Sequence, residues 1–387
     1  MRQNKRKSIS RIISVIILCT VFWCGCSLSQ DQQQELKNKK KTIKIAIILP
    51  ASGTADSQAE EERRAIELAV RDVNSRSRSA IIETVYTDSG ANPSEAAFVA
   101  DNLLHKENVS AFITSSTPIS QGVLPIAAKN KKLIAMLSPE PKIQTMSPHA
   151  FRLYVSIAEE AEQLLEYFTK TGKGKKVVIL YLNRGDIINE VSHYLVPGFM
   201  HNGIKVLYYE PYESEEKDLK SRIDRLKRSG ATSVMILGSG SEALPILQEL
   251  SQQKLLGRIE VLCGGGFLSS NTVPDALTEG IIVASPQYVF QKNEKTTAFE
   301  ENFAKAYGHP PSLYAACAYD ATNIFAEGLM QGLIEKQGNA DTVSFLITNH
   351  KYSGIAGEIS VDNEGGLTVP MRLGIIHKGK VTPYNKP

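Results

Sequence analysis

The chain has 387 residues, of which 42% are hydrophobic and 22% charged, an ordinary composition for a folded protein long enough for two lobes. The formal net charge of +3 comes from the N-terminus, because five of the 44 lysines and arginines lie in the first 25 residues, which contain no acid. The remaining 39 bases face 41 acids, which gives no electrostatic case for binding nucleic acid.

The first 26 residues have the parts of an export signal. Bases near the start precede an apolar core, Ile12–Phe22, that is short for a membrane-spanning helix. The segment ends in WCGC, and a small residue before a cysteine resembles the lipobox of bacterial lipoproteins, although Trp23 stands where a leucine-like residue is usual. We predict a signal at 1–26 with Cys26 lipidated, or alternatively an uncleaved N-terminal anchor, and in both cases an exported, membrane-held protein.

Neither the segment after the predicted signal nor the remaining cysteines indicate a functional site. Residues 27–41 are polar without apolar periodicity, which predicts a flexible tether. Cys263 and Cys317, the two cysteines beyond the N-terminal segment, lie far apart in apolar stretches, so buried free thiols are expected rather than a disulfide framework. No clustered Cys/His pattern indicates a metal site, and no cofactor is expected.

A first series of strands and helices starts at residue 42. It opens with strand Ile43–Leu49, a polar break from Pro50 to Gly53, and a helix with Ser57 as predicted N-cap and Glu60 completing a capping box. Further strands are predicted at Ala80–Thr87, Val109–Thr114, Leu133–Leu137 and Phe151–Tyr154.

A second series of the same kind follows. Its strands are predicted at Lys176–Leu182, Ile204–Tyr209, Ser233–Leu237, Ile259–Leu262 and Ile281–Ala284. Helices at Thr296–Tyr307 and Tyr314–Leu333 and β segments at Gly357–Val361 and Met371–His377 end the chain. Alternating strands and helices predict parallel sheets, and two series predict two α/β lobes.

Four stretches occur in a diagnostic order. They are IAIILPASG with RRAIELAVRDVN; Ser115-Ser116-Thr117 with PIAAKNKKLIAMLSP; AYGHPPSLYAACAYDATNIFAEGL; and SGIAGEISVDNEGGLTVPMRLGIIHKGK. Together they resemble the type I periplasmic solute-binding proteins of ABC transporters, in the branched-chain amino acid (Leu/Ile/Val)-binding group. The resemblance implies a two-lobed fold, each lobe a parallel sheet flanked by helices, joined by hinge strands and closing on a ligand in the cleft.

The resemblance also implies that domain order differs from chain order. Lobe one is predicted to comprise 42–152 and 285–340, lobe two 153–284, and the hinge and C-terminal strands 341–387.

Ligand contacts are predicted where strands end, because ligands of parallel α/β sheets bind at the carboxyl edge. The resemblance implies that the hydroxyls of 115–117 hold a carboxylate, and a helix N-terminus favours an anion there. Glu140 would repel a carboxylate and, if it faces the cleft, favours a cationic or polyhydroxy ligand. The resemblance places the family's lobe-two tyrosine near Ser239 and its ammonium-binding acid near Gly265. Neither of those side chains is present at its position in this sequence, so the family's amino acid specificity does not transfer to this chain. The predicted contacts are Ser52, Ser115, Ser116, Thr117, Ser138, Glu140, Asp186, Ser239 and Gly265.

Several of these contacts have a purely structural alternative. In that alternative, residues 115–117 only cap a helix, and Glu140 is a charged loop residue that faces solvent. Glycines 264–266 lack the spacing of a nucleotide loop and suit close backbone approach as well as ligand contact. Asp186 lies with Asn183 and Arg184 in a strand-end loop of a kind that is usually polar.

The expected function is ligand capture rather than catalysis. The sequence has no HExxH, GxSxG or Walker motif. We expect an exported, lipid-anchored, monomeric protein that binds a small polar ligand, an amino acid or related compound, for delivery to an ABC permease. A ligand-sensing or adaptor lipoprotein with the same fold, acting without transport, is the alternative; a protein partner without a small ligand would favour it.

Overall fold

The computed structural model describes residues 40–50, 56–78, 80–90, 92–171, 175–216, 218–269, 273–290, 292–335, 352–361 and 366–384. The predicted signal with Cys26, most of the predicted tether and Ser52 lie outside these ranges. Within them, no helix combines the length and apolar character needed to cross a bilayer.

The first lobe is a five-stranded parallel sheet in the order β2-β1-β3-β4-β5. Alternate residues of the interior strand β1 enter two separate cores, Ile45 and Ile47 on one face and Ala46 and Ile48 on the other. Burial on both faces explains the unbroken apolar run in the sequence. The elements are β1 (Lys41–Leu49), α1 (Asp56–Arg76), β2 (Ala80–Asp88), α2 (Pro93–Lys106), β3 (Ala111–Ser115), α3 (Thr117–Lys129), β4 (Leu133–Leu137) and β5 (Ala150–Arg152).

The second lobe is a seven-stranded sheet in the order β15-β14-β10-β9-β8-β6-β7, in which β14 and β15 run antiparallel to their neighbours. Its elements before residue 230 are α4 (Ile157–Thr171), β6 (Lys176–Leu182), α5 (Gly185–Asn189), a π-helical segment (Glu190–Leu195), α6 (Val196–His201), β7 (Lys205–Tyr212) and α7 (Leu219–Ser229). The later ones are β8 (Ser233–Leu237), α8 (Gly240–Gln252), β9 (Glu260–Cys263), a 3-10 turn (Gly265–Ser269), α9 (Asp275–Thr278) and β10 (Ile282–Pro286).

The chain then returns to the first lobe before it ends in the second. Helices α10 (Glu294–Tyr307) and α11 (Leu313–Glu335) both contact α1. A small sheet near the hinge follows, and its last strand bridges Leu153 through Leu367. The chain thus passes between the lobes after β5, after β10 and between α11 and β14. The remaining strands are β11 (Tyr352–Ser353), β12 (Glu358–Val361), β13 (Leu367–Thr368), β14 (Met371–His377) and β15 (Lys380–Pro383).

This architecture confirms the predicted α/β fold and corrects several local predictions. Helix α1 begins at Asp56, one residue before the predicted N-cap position, and Glu60 pairs with Arg63 and Arg64. The helical stretch after β6 is not a continuous α-helix, because the π-helical segment interrupts it. Helix α7 starts at Leu219, because Asp218 accepts a hydrogen bond from the Ser221 amide as N-cap.

The predicted state of the two thiols is confirmed: Cys263 and Cys317 are free and buried.

Candidate ligand-binding cleft

A cavity of about 440 Å³ lies between the two lobes. Its first-lobe wall consists of the carboxyl ends of β1, β3 and β4 and the start of α1, and the segment after β5, where the chain crosses to the second lobe, adjoins that wall. Its second-lobe wall consists of α4, α5 and the loops after β8 and β9. This volume is in the range of small-molecule sites. Among the described residues, no group of three or more His, Cys, Asp or Glu is arranged to hold a metal ion.

Ser116 is the most unusual residue of the first-lobe wall. It is the N-cap of α3, yet its side chain makes no cap hydrogen bond, and its Oγ is buried without a partner in the described structure. Its φ of +69° is a conformation that non-glycine residues rarely adopt. The backbone is fixed there because the Ser116 amide donates to Leu137 O at 3.0 Å. A buried hydroxyl of this kind is suited to a ligand.

Thr117 lies beside Ser116 on the wall, and Ser138 positions it. The two hydroxyls are 2.9 Å apart, and Ser138 is fully buried. The amide of Glu140 donates to Ser138 Oγ at 3.3 Å. Pro139 reaches the cavity, while the side chains of Ser138 and Glu140 are not part of its wall. The hypothesis that Glu140 sets the charge preference therefore has no support from its position.

A buried polar network underlies the first-lobe wall. Tyr154 OH donates to Glu62 Oε1 at 2.6 Å, and Gln58 Nε2 donates to the same oxygen at 3.0 Å. The Tyr154 ring stacks on Tyr314 with centroids 5.8 Å apart. Burial raises the pKa of Glu62 against the lowering effect of hydrogen bonds from Ser115, Tyr154 and Gln58. This network could not be predicted from the sequence, because its members come from distant elements.

The second-lobe wall is acidic. Asp186, as predicted for its loop, lines the cavity together with Glu160, Glu190 and Arg184. Arg184 holds Asp186 in a two-point ion pair, with Nε to Oδ1 at 2.7 Å and Nη2 to Oδ2 at 3.0 Å. Arg184 was predicted only as a loop residue, and neither glutamate was predicted to line the cleft.

Glu160 occupies the space that two glycines leave open. A Cβ on Gly264 would lie 1.8 Å from Glu160 Oε1, and one on Gly265 would lie 3.4 Å from Oε2. Burial raises the pKa of Glu160 to about 7, the backbone N–H of Gly265 opposes the rise, and the charge of Asp186 adds to it. Gly265 itself lies behind the wall, whereas Gly264 and Gly266 line the cavity. The lack of a side chain at Gly264 and Gly265 therefore allows the Glu160 carboxylate to approach the backbone closely.

Glu190 is the first residue of the π-helical segment and is only 3% exposed. Its Oε1 has no hydrogen-bond partner within the described residues. Burial, followed by the negative charge of Glu160, raises its pKa well above the usual range for a carboxyl group. Burying a carboxylate without a partner costs free energy, so Glu190 is a candidate for contact with a ligand.

Ser239 has a structural role in this geometry. It is the N-cap of α8 and forms a capping box with Glu242, whose carboxylate accepts from the Ser239 amide at 2.8 Å. Gly238, rather than Ser239, lines the cavity. Of the nine predicted contacts, the cavity brings together Ser115, Ser116, Thr117 and Asp186; Ser138, Glu140, Ser239 and Gly265 are not part of its wall, and Ser52 is outside the described residues.

The family follows from the match to known proteins. A family model described as periplasmic binding protein matches residues 42–380. The chain belongs to the periplasmic binding protein family. A curated member, the leucine-, isoleucine-, valine-, threonine-, and alanine-binding protein of Pseudomonas aeruginosa, is 23% identical over 340 residues, which cover 84% of this chain and 87% of that protein.

Solved structures of this periplasmic binding protein family share the fold. A solute-binding protein of an ABC transporter from Rhodopseudomonas palustris BisB5, in complex with 3,4-dihydroxybenzoic acid, has a TM-score of 0.76 at 18% identity, covering 88% of this chain and 95% of that one. A branched-chain amino acid transporter substrate-binding protein from Streptococcus pneumoniae, in complex with isoleucine, has a TM-score of 0.74 at 20% identity, covering 88% and 98%.

Proposed function

We propose that this periplasmic binding protein captures a small polar solute in the cleft between its lobes and presents it to an ABC permease. The observation that carries the proposal is the cavity itself, which both lobes line with polar groups lacking partners in the described structure, the Ser116 hydroxyl on one wall and Glu190 Oε1 on the other. The amino acid-binding relative and the structure with isoleucine support it.

The two walls favour a ligand with an anionic end and an amino group. Ser116 and the N-terminus of α3 offer a hydroxyl and a positive helix end to a carboxylate. The acidic second-lobe wall attracts an ammonium. An amino acid or a related compound satisfies both walls at once, which is the requirement for a ligand that stabilises the closed state over the open one.

The attachment of the protein belongs to the same proposal. A signal at 1–26 and a lipid on Cys26 would hold the binding domain at a membrane through the tether 27–41, outside the cytoplasm and within reach of a permease. The monomeric state and the domain boundaries 42–152 with 285–340, 153–284 and 341–387 are also proposals.

Thermal unfolding of residues 27–387 against amino acids, amides, polyamines, sugars and benzoates tests the capture of a solute. A ligand at about 100 times its Kd adds roughly 2.7 kcal/mol to the free energy of unfolding, which raises the melting temperature. Ser116→Ala should lose most of that rise. Ser75→Ala is the matched control, because Ser75 is exposed at the far end of α1, about 24 Å along the helix from Ala59 at the cavity.

A folded protein that no compound in the panel stabilises would contradict the proposal. The sensing or adaptor function without transport would then take its place, and a protein partner would be sought.

A further inference from the structure

The charges on the cavity wall do not balance. The acids on the wall are Glu160, Asp186 and Glu190, and Arg184 is the one base among the described wall residues. Arg184 makes two hydrogen bonds to Asp186. Its charge also attracts Glu160 and Glu190, but burial outweighs that attraction at both. Two carboxyl groups thus face the cavity without a cationic side chain of their own.

Glu190 gives the more direct indication of a ligand. The Glu190 carboxyl group is 3% exposed and its Oε1 has no partner among the described residues, and buried polar atoms in proteins are generally hydrogen-bonded. π-helical insertions are found frequently at functional sites. Here the π-helical segment starts at Glu190 and presents this side chain to the cavity.

Glu160 is accommodated by the backbone on the same wall. Gly264 leaves room for its carboxylate, since a Cβ there would lie 1.8 Å from Oε1. The Gly265 backbone N–H supplies a hydrogen bond to the carboxylate. The acid that the resemblance places near residue 265 is absent, and Glu160 from α4 brings a carboxylate to that place.

We propose that Glu160 and Glu190 form a cation-binding subsite, and that the solute is a small aliphatic molecule of net positive charge, carrying an ammonium or guanidinium group that lies between them. Ile157, Ile187 and Leu237 on the same cavity wall suit an aliphatic stem. A ligand with two cationic nitrogens and one carboxylate would meet both glutamates and Ser116. This inference rests on the proposed function, because the subsite lies in the same cleft.

The subsite predicts a proton release on binding. Burial disfavours the charged forms of both carboxyl groups, raising the pKa of Glu160 to about 7 and that of Glu190 well above its usual range, so the pair binds a proton more readily without a cation beside it. A cation between them favours ionisation of both, so the proton leaves to solvent. Affinity for a cationic ligand should therefore rise between about pH 6 and pH 8, whereas an anionic ligand should show the opposite trend. Arg184, Asp186, Tyr314 and Cys263 also surround these groups.

Isothermal titration calorimetry at pH 7 in two buffers of different ionisation enthalpy measures both affinity and proton release. The probes are L-lysine, L-arginine, putrescine, L-leucine, L-glutamate, 4-hydroxybenzoate and calcium chloride. We expect L-lysine or L-arginine to bind more tightly than L-leucine, with net proton release. Glu190→Gln should weaken that binding about 30-fold and abolish the release. Glu160→Gln should act in the same direction.

Glu215→Gln is the charge-matched control, since Glu215 is exposed in the second lobe and is not part of the cavity wall. It should leave the affinity and the proton release unchanged. Tighter binding of L-leucine or 4-hydroxybenzoate, unaffected or improved by Glu190→Gln, would overturn the cation subsite while leaving solute capture intact. Binding of calcium alone would overturn the organic ligand class. If no probe binds to the folded protein, both the subsite and the proposed function fail.

Discussion

Ser116 carries two energetic costs at a single position. Its φ of +69° is unfavourable for a residue with a Cβ, and its buried Oγ has no partner in the described structure. Strained residues of this kind cost about 1–3 kcal/mol and concentrate at functional sites. Since the Ser116 side chain makes no cap hydrogen bond to α3, the benefit of the strain is expected to appear when a ligand is bound.

Ser116→Gly should separate these two costs. Glycine adopts this conformation without strain, so the free energy of unfolding of the unliganded protein should rise by about 1 kcal/mol, while ligand affinity falls about tenfold with the lost hydroxyl. Urea unfolding and calorimetry measure the two effects. Lys131→Gly is the control: Lys131 also has a positive φ, +51°, but lies exposed after α3, so affinity should not change. Wild-type affinity in Ser116→Gly would exclude the hydroxyl as a ligand contact.

The predictability of the site differs from residue to residue. Ser115, Ser116 and Thr117 could be predicted because they follow a strand and precede a helix, which puts them at the carboxyl edge of the sheet. Glu160 could not, because it is one of several acids at the start of an amphipathic helix, and the sequence does not say which of them faces the cleft. The spacing of Glu190 from its neighbours gives no indication of the π-helical turn that orients it.

Helix α11 contacts the segment before β12 through the carboxylate of Asp320. Asp320 is 1% exposed and accepts the backbone N–H groups of Ile355 and Ala356 at 2.9 and 2.7 Å. Gly354 permits this approach, because a Cβ there would lie 2.4 Å from Asp320 Oδ2. Asp320 thus fastens the segment that leads to the small hinge sheet onto the first lobe.

Asp320→Ala should destabilise the protein by about 2–4 kcal/mol, because two buried N–H groups lose their acceptor. Chemical denaturation measures the loss. Tyr319→Phe is the neighbouring control: Tyr319 OH donates to Asp72 on α1 at 2.5 Å in a half-buried position, and its removal should cost about 1 kcal/mol. An equal effect of the two substitutions would mean that Asp320 does not anchor the segment.

The strand–helix order of both lobes could be predicted because the core strands are buried on both faces and form compact apolar runs. The interruption of the second-lobe helix could not, since residues 190–195 (EVSHYL) contain no glycine or proline that would signal it. The antiparallel strand β15 was also missed, because a four-residue, largely exposed strand has no apolar pattern.

The whole unliganded molecule is expected to lose stability as pH rises. Burial, opposed by hydrogen bonds from backbone N–H groups, raises the pKa of Glu160 and of Asp320 to about 7, from ordinary values of 4.5 and 3.8. Between these values the folded protein retains protons that the unfolded chain has released. The stability that those protons confer is complete below about pH 4 and is lost as pH rises through about 7.

Urea unfolding at pH 5, 6, 7 and 8 checks this trend. The free energy of unfolding should fall across the series in wild type and less steeply in Glu160→Gln, whose amide has no proton to lose. Glu215→Gln should keep the wild-type slope. A stability that stays level or rises with pH would contradict the prediction that these carboxyl groups are protonated in the folded state.

The stacked rings of Tyr154 and Tyr314 give the cleft an optical property. The one tryptophan of the sequence is Trp23, so residues 40–384 absorb and emit in the near ultraviolet through tyrosine. Tyr154 donates to a buried carboxyl group, and such contacts quench tyrosine emission. A solute that enters between the lobes and disturbs this pair should change the intrinsic fluorescence without any attached dye. The fold thus contains its own reporter of occupancy, placed at the wall where the solute is expected to lie.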